Sequence, residues 1–304
     1  MSVLNRKLLV VGCNGMLAKA IASAAPAGYL LTGVDLPEFD MTDRSQVISL
    51  VHRLRPDTII NCAAYTNVDG CETEVRLANS VNGTAVGYLA ESAKSVDATL
   101  VHVSTDYLFD GCKGSPYGEE DQPNPQSVYG NSKLLGEQAI LTSELKKYFI
   151  VRTSWLYGPG GRNFVETVLR LAGEREELKI VADQVGSPTY TVDLANAIFN
   201  LLDAVTGHQF SAPSCYGIYH FSDEGYCSWY EFACTIVAEA RRHNLPVVTR
   251  EVRPIRTAEY PLPARRPANS VFDKSKYRNT TGAEVPEWRD SLKAYFSIRE
   301  QSNL

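Results

Sequence analysis

The stretch KLLVVGCNGMLAKA, residues 7–20, decides the fold. Its first half is an unbroken apolar run ending at Val11, which reads as a strand buried on both faces. Gly12 and Gly15 come next, and a helix-forming run starts at Met16. Glycines between a strand and a helix allow a tight turn and a close approach to a pyrophosphate, which the helix N-terminus stabilises. Two glycines at this spacing carry little weight alone. Their place at a strand–turn–helix junction, opening a series of such units, gives them weight. Ala18 stands at the third position and is small enough for close packing.

Outward from this stretch the alternation continues. YLLTGVD (29–35), DTIINCAA (57–64), TLVHVST (99–105) and YFIVRTSWLYG (148–158) read as strands. MLAKAIASAA (16–25), RSQVISLVHRLRP (44–56), VRLANSVNGTAVGYLAESAKSV (75–96) and SKLLGEQAI (132–140) read as helices. Strands alternating with helices indicate βαβ units and an α/β, Rossmann-type doubly wound parallel sheet. Beyond Tyr157 the pattern loosens. NFVETVLRLAGE (163–174), VDLANAIFNLLDAV (192–205) and SWYEFACTIVAEARRHN (228–244) are helical, separated by turn-rich stretches such as VRPIRTAEYPLPARRPANS (252–270). The reading is a cofactor domain at 1–157 with a return at about 190–212, and a smaller, irregular C-terminal substrate domain at 158–189 and 213–304.

The 304 residues are 44% hydrophobic and 21% charged, as in a globular protein. A net charge of −5 argues against nucleic acid or an anionic membrane as the main partner. No apolar run approaches about 18 residues, so no membrane-spanning helix is expected. The N-terminal apolar run ends in glycine without a cleavage-site pattern and reads as a strand, not a signal peptide. Seven scattered cysteines without CxxC spacing fit free thiols in a reducing, cytoplasmic setting.

Three further features carry chemistry. Asp35 ends a strand about 20 residues after the glycines, where a carboxylate accepts hydrogen bonds from an adenosine ribose and repels a 2′-phosphate. HVSTDYLFDG (102–111) delivers Ser104 and Thr105 to a strand's C-terminal end, where open α/β sheets bind ligands. VYGNSKLLGEQA (128–139) sets Tyr129 one helical turn before Lys133.

Gly12-x-x-Gly15, NCAAYTNVD (61–69), Ser104-Thr105-Asp106 and Tyr129-x-x-x-Lys133 together resemble the extended, nucleotide-sugar-modifying branch of the short-chain dehydrogenase/reductase superfamily. STDYLFDG (104–111), YGNSKLLGE (129–137), VRTSWLYG (151–158), NFVETVLRLA (163–172), VADQVGSPTYTVDLA (181–195), GIYHFSDEGYCSWYEFA (217–233) and PARRPANS (263–270) narrow the resemblance. They are similar to the dTDP-4-dehydrorhamnose reductase family from about residue 7 to about 296.

The resemblance implies NAD(P)H-dependent reduction of the C4 keto group of a dTDP-4-dehydro-6-deoxy-L-sugar, giving dTDP-L-rhamnose. Tyr129 would be the general acid, Lys133 the cation that favours its phenolate, and Thr105 the contact to the sugar oxygen. A tyrosine of ordinary pKa near 10 needs such a neighbour. The cofactor, NADPH or NADH, would lie against Gly12, Asn14, Gly15, Met16 and Leu17. Asp35, Asp40 and Met41 would also meet it, as would Ala63, Ala64, Tyr65 and Ser104, with Tyr129 and Lys133. The dTDP-sugar would meet Thr105, Asp106, Tyr107, Trp155 and Asn163, then Gln184, Pro188, Thr189 and Arg266. The guanidinium fork of Arg266 suits the diphosphate. Some relatives hold magnesium at a dimer interface through a carboxylate on the helix after the glycine loop. MLAKAIASAAPAG (16–28) carries none, so no metal is expected, and the protein would be a monomer or homodimer.

Three other readings share this superfamily. A 4,6-dehydratase places an Asp-Glu pair after the Ser/Thr, whereas Asp106 is followed here by Tyr107 and Leu108. A C4 epimerase keeps the Tyr/Lys pair. The regulatory β subunit of methionine adenosyltransferase resembles the same family without catalysing its reaction. Retention of Thr105, Tyr129 and Lys133 favours an enzyme.

Overall fold

The computed structural model describes residues 5–206 and 215–302. In chain order the first half contains β1 (Arg6–Val11), α1 (Met16–Ala24), β2 (Tyr29–Val34), α2 (Arg44–Leu54), β3 (Thr58–Asn61), α3 (Val68–Cys71), α4 (Val75–Asn79), α5 (Ala85–Val96), β4 (Thr99–Thr105), α6 (Val128–Thr142) and β5 (Tyr148–Thr153). There follow β6 (Leu156–Tyr157), α7 (Phe164–Glu174), β7 (Glu177–Val181), β8 (Val185–Gly186), β9 (Thr189–Tyr190), α8 (Thr191–Thr206), β10 (Gly217–His220), β11 (Cys227–Ser228), α9 (Trp229–Arg242), β12 (Glu251–Ile255), α10 (Ser275–Thr281) and α11 (Trp288–Ser302).

Six strands form one parallel sheet in the order β2-β1-β3-β4-β5-β10. The apolar run of β1 explains why it lies inside. Leu8 and Val10 join the core beneath α1 and α8, while Leu9 and Val11 join the core beneath α2, α5 and α6. Helices therefore cover both faces, and successive side chains of one strand feed the two layers. Register sets Val11 beside Asn61, and Asn61 beside His102. The loops after β1, β3 and β4 thus leave the sheet at one edge, where ligands bind in this architecture.

A third core joins α7, α9 and α11 around Tyr157, Tyr190, Phe232 and Trp288. Three two-stranded pairings, β7 with β12, β8 with β11 and β6 with β9, border it. No described helix is long and apolar enough to cross a membrane.

Several elements differ from the sequence reading. The expected helix at 75–96 is interrupted by a π-helical turn over Ser80–Thr84. The strand expected over 148–158 breaks at Trp155, whose φ is +49°. β10, placed by the sequence in the smaller unit, pairs with β5 at the edge of the main sheet. Its four residues are too few to show a period. Helix α8 packs on α1; of the return expected at about 190–212, residues 207–212 lie outside the described residues.

Candidate active site

The first cleft forms where β1 ends. Gly12 has φ +82°, and a Cβ there would stand 2.6 Å from the Ala63 nitrogen, so only glycine lets β1 turn this close to the loop after β3. Gly15 precedes α1 and offers no side-chain cap. The first amides of α1 are left for a ligand's phosphates. Gly12, Gly15, Asp35, Asp40, Met41, Ala63 and Ala64 line a cleft of about 220 Å³, together with Leu36 and Cys62. Seven of the expected cofactor residues are thereby brought together.

The remaining expected cofactor residues stand elsewhere. Leu17 is buried in the core beneath α1, and Met16 packs on Gly161, so each has only its backbone amide to offer. The Asn14 amide donates to Asp35 Oδ2 at 3.0 Å, and the Leu36 amide to Asp35 Oδ1 at 2.8 Å. Asp35 therefore braces the glycine loop as well as lining the cleft. Tyr65 is held by its backbone. Its amide donates to Asn82 Oδ1 at 2.8 Å, and Asn82 Nδ2 donates to the Tyr65 carbonyl and to Ser132 Oγ. Asn82 lies in the π-helical turn and so ties the loop after β3 to α6. Ser104 is buried and its hydroxyl has no protein partner.

Helix α6 begins earlier than its apolar pattern suggests, because Ser127 Oγ accepts the Gly130 amide at 3.1 Å. A Cβ on Gly130 would lie 2.3 Å from the Tyr107 carbonyl, so glycine lets the first turn rest on the 3₁₀ turn Asp106–Leu108. The contact sets Tyr129 against Tyr107, ring centroids 5.3 Å apart edge to face, and brings its hydroxyl close to Thr105. Burial raises the Tyr129 pKa above the usual tyrosine range, and the nearby Thr105 hydroxyl opposes this. Thr105 Oγ1 donates to Asp106 Oδ1 at 3.1 Å. Burial pushes the Asp106 carboxyl up to about 6, against the hydrogen bond from Thr105.

Lys133 is buried beneath this group. Its Nζ donates to the Val103 carbonyl at 2.7 Å and lies 3.4 Å from His102 Nε2. Burial lowers its pKa to about 8. Lys133 and Tyr129 share a helix face, yet they share no hydrogen bond, because the lysine side chain is drawn to the end of β4.

A second cavity, of about 1210 Å³, opens on the other side of Tyr107. Phe164, Leu171, Ile180 and Trp229 form apolar wall, and Tyr107, Gln184, Asp183 and Arg266 supply polar groups. Tyr129 and Lys133 stand between the two openings: Tyr129 touches Tyr107 of one, and Lys133 lies near Cys62 of the other.

The structure does not place every expected substrate residue in that wall. Asn163 caps α7, accepting the Glu166 amide at 3.0 Å and donating to the Gly158 carbonyl at 2.9 Å, and it faces a different cavity. Pro188 and Thr189 are buried, and Thr189 Oγ1 accepts from Thr153 Oγ1. Trp155 stacks on Trp229 at 3.4 Å and presses on Gly186, so Trp229 is the indole that lines the cavity. Arg266 lines the cavity, but its fork is engaged by Asp69 at 2.6 and 2.7 Å.

Asn61, His102, Asn82, Asp69 and Trp229 were missed by residue-level reasoning. A histidine inside TLVHVST and an asparagine ending TIIN were visible signals, since a polar side chain in a buried strand needs a partner. Among the described residues no group of three or more His, Cys, Asp and Glu side chains is arranged to hold a metal.

Comparison with known proteins follows the same outline. The family description "RmlD substrate binding domain" matches residues 6–300. The chain is 42% identical to a dTDP-4-dehydrorhamnose reductase of Aggregatibacter actinomycetemcomitans, over 94% of this chain and 97% of that protein. It is 39% identical to the spore coat polysaccharide biosynthesis protein SpsK of Bacillus subtilis, over 97% and 99%. A crystal structure of a dTDP-4-dehydrorhamnose reductase from Bacillus anthracis in complex with NADP superposes with a TM-score of 0.88 at 40% identity, covering 97% of this chain and 99% of that one. Fold, motif order and near-full-length similarity agree: the chain belongs to the dTDP-4-dehydrorhamnose reductase (RmlD) family of extended short-chain dehydrogenases/reductases.

Proposed function

We propose that the protein reduces the C4 keto group of dTDP-4-dehydro-L-rhamnose to dTDP-L-rhamnose, using NADPH or NADH. The observation that carries this reading is the Tyr129 hydroxyl beside Thr105 at the end of β4, between a glycine-lined cleft and a larger, partly apolar cavity. A bound nicotinamide cofactor supplies the hydride. Gly12 and Gly15 would admit its pyrophosphate, and the loop Ala63–Tyr65, fixed by Asn82, would border it. Tyr129 donates its phenolic proton to the carbonyl oxygen as that oxygen gains charge. Thr105, whose own proton goes to Asp106, would offer an oxygen lone pair to the Tyr129 hydroxyl beside it. The larger cavity would hold the deoxysugar and thymidine, with Trp229 and Phe164 as apolar contacts.

A second reading is reduction of a different nucleotide-linked 4-keto sugar, supported by the 39% identity to the spore coat protein. Loss of NADPH absorbance on adding dTDP-4-dehydro-L-rhamnose tests the reaction, and proton NMR of the product reads the C4 configuration. No oxidation of NADPH or NADH with that substrate rejects the first reading.

A further inference from the structure

The charge on Lys133 is poorly supported by its surroundings. Glu137, one turn along α6, is committed to Arg152 through contacts of 2.7, 3.0 and 3.3 Å. Cys62, after β3, is a neutral thiol that burial pushes up to about 12. Tyr129 lies beside Thr105 and makes no hydrogen bond to the lysine nitrogen, whose contacts are those of the β4 end. What meets the lysine nitrogen is the Val103 carbonyl and, on β4, the His102 ring.

The state of that ring follows from its other neighbour. Asn61 Oδ1 accepts the Ala63 amide at 3.1 Å, which fixes the orientation of the Asn61 side chain. Its Nδ2 is then the end that faces His102 Nδ1, at 3.1 Å, and donates to it. His102 is fully buried, and burial alone is enough to keep its pKa below the usual histidine value. A neutral ring has one N–H. With Nδ1 accepting, that proton sits on Nε2 and points at Lys133. An ammonium would oppose one N–H to another, whereas a neutral amine offers its lone pair.

We propose that Asn61 and His102 form a positioning pair that sets the protonation of Lys133: the Nε2–H of His102 points at the lysine nitrogen and weakens its hold on its third proton, so that Lys133 can give up that proton within the pH range of turnover. The consequence for turnover rests on the reductase reading; the tautomer does not.

The test needs no substrate. Nitrogen-15 NMR of the ligand-free protein, with His102 assigned by loss of its signals in His102→Phe, should show a protonated Nε2 and a bare Nδ1. A proton on Nδ1 overturns the proposal. The Lys133 Nζ titration, assigned with Lys133→Met, supplies the second arm. Asn61→Asp keeps an acceptor for the Ala63 amide but accepts from Nδ1, which moves the ring proton away from Lys133. The lysine titration should rise by about one pH unit or more. The new carboxylate would raise it too, so the double variant Asn61→Asp/His102→Phe isolates the charge and should show a clearly smaller rise. Equal rises in both overturn the proposal. Asn61→Ala frees the ring without adding charge and should also move the titration upward; no change there is equally fatal. In the enzyme assay the Lys133-dependent limb of the pH–kcat profile should move with these variants. A protein that reduced no sugar ketone would leave the NMR outcomes readable, so the two readings fail separately.

Discussion

Arg266 and Asp69 meet in a two-point ion pair, Nη1 to Oδ1 at 2.6 Å and Nη2 to Oδ2 at 2.7 Å, that joins the C-terminal half of the chain to the first turn of α3. The Arg266 hydrogen bond holds the Asp69 carboxyl below the usual range, against the effect of burial. Asp69 also accepts the Ala264 amide at 3.1 Å. A diphosphate reaching Arg266 from the cavity must share this fork or displace the carboxylate. Arg266→Ala is therefore expected to weaken dTDP binding by only about tenfold, near the low end for a charge-assisted contact of roughly 1.5 kcal/mol. Asp69→Asn, which leaves the fork less occupied, should tighten it. Calorimetric titration with dTDP checks both; weaker binding in Asp69→Asn would show that the carboxylate supports the site instead of competing for it.

Tyr129→Phe keeps the ring contact with Tyr107 and removes only the hydroxyl. Turnover should fall on the order of a hundredfold or more, the scale of general acid catalysis, with cofactor affinity retained. Steady-state kinetics beside a cofactor titration make the comparison, and near-wild-type turnover would remove Tyr129 as the acid.

Asp35 braces two backbone amides and lines the cleft at the end of β1, proposed above for the cofactor. Its carboxylate disfavours a 2′-phosphate, so NADH should serve at least comparably to NADPH. Asp35→Asn should shift preference towards NADPH and, by loosening the glycine loop, weaken both cofactors. The ratio of kcat/KM for the two cofactors is the measurement, and an unchanged ratio would contradict this assignment.

Asp106 titrates near 6 because it is buried, and its ordinary value is 3.8. In the folded chain it binds its proton more tightly than in the unfolded chain. Its contribution to stability therefore falls as pH rises from about 4 to about 6 and stays low above that. Asp106→Asn should raise the melting temperature at pH 7.5 and leave it nearly unchanged at pH 4. The ionised carboxylate is also what accepts the Thr105 proton, so wild-type turnover should decline below about pH 6. Paired thermal melts and a pH–rate profile separate the two effects; an equal stability change at both pH values would place the cause elsewhere.

Chelation should be silent. With no carboxylate on α1 to match the magnesium-binding relatives, EDTA is expected to leave turnover and oligomeric state unchanged. A loss of activity restored by magnesium would point to carboxylates contributed elsewhere.

The sequence by itself determined the layers and the chemistry-bearing positions. A doubly buried strand needs an unbroken apolar run, a glycine turn before a helix is a local pattern, and Tyr129 and Lys133 share a face through helical spacing alone. Those signals span a few residues, so they survive without a fold. What only the tertiary structure decided depends on groups far apart in the chain. Asp69 and Arg266 are 197 positions apart and meet because the segment after β12 folds back onto α3. Trp155 gives its cavity-facing place to Trp229 because the chain turns at the left-handed Trp155 between β5 and β6, and the first residue of α9 stacks on it. His102 meets Lys133 and Asn61 because parallel register sets β3 beside β4 and α6 lies across their ends. A hydrogen-bond partner or an ion pair is a property of two surfaces brought together, and the local pattern of either segment carries no record of the other.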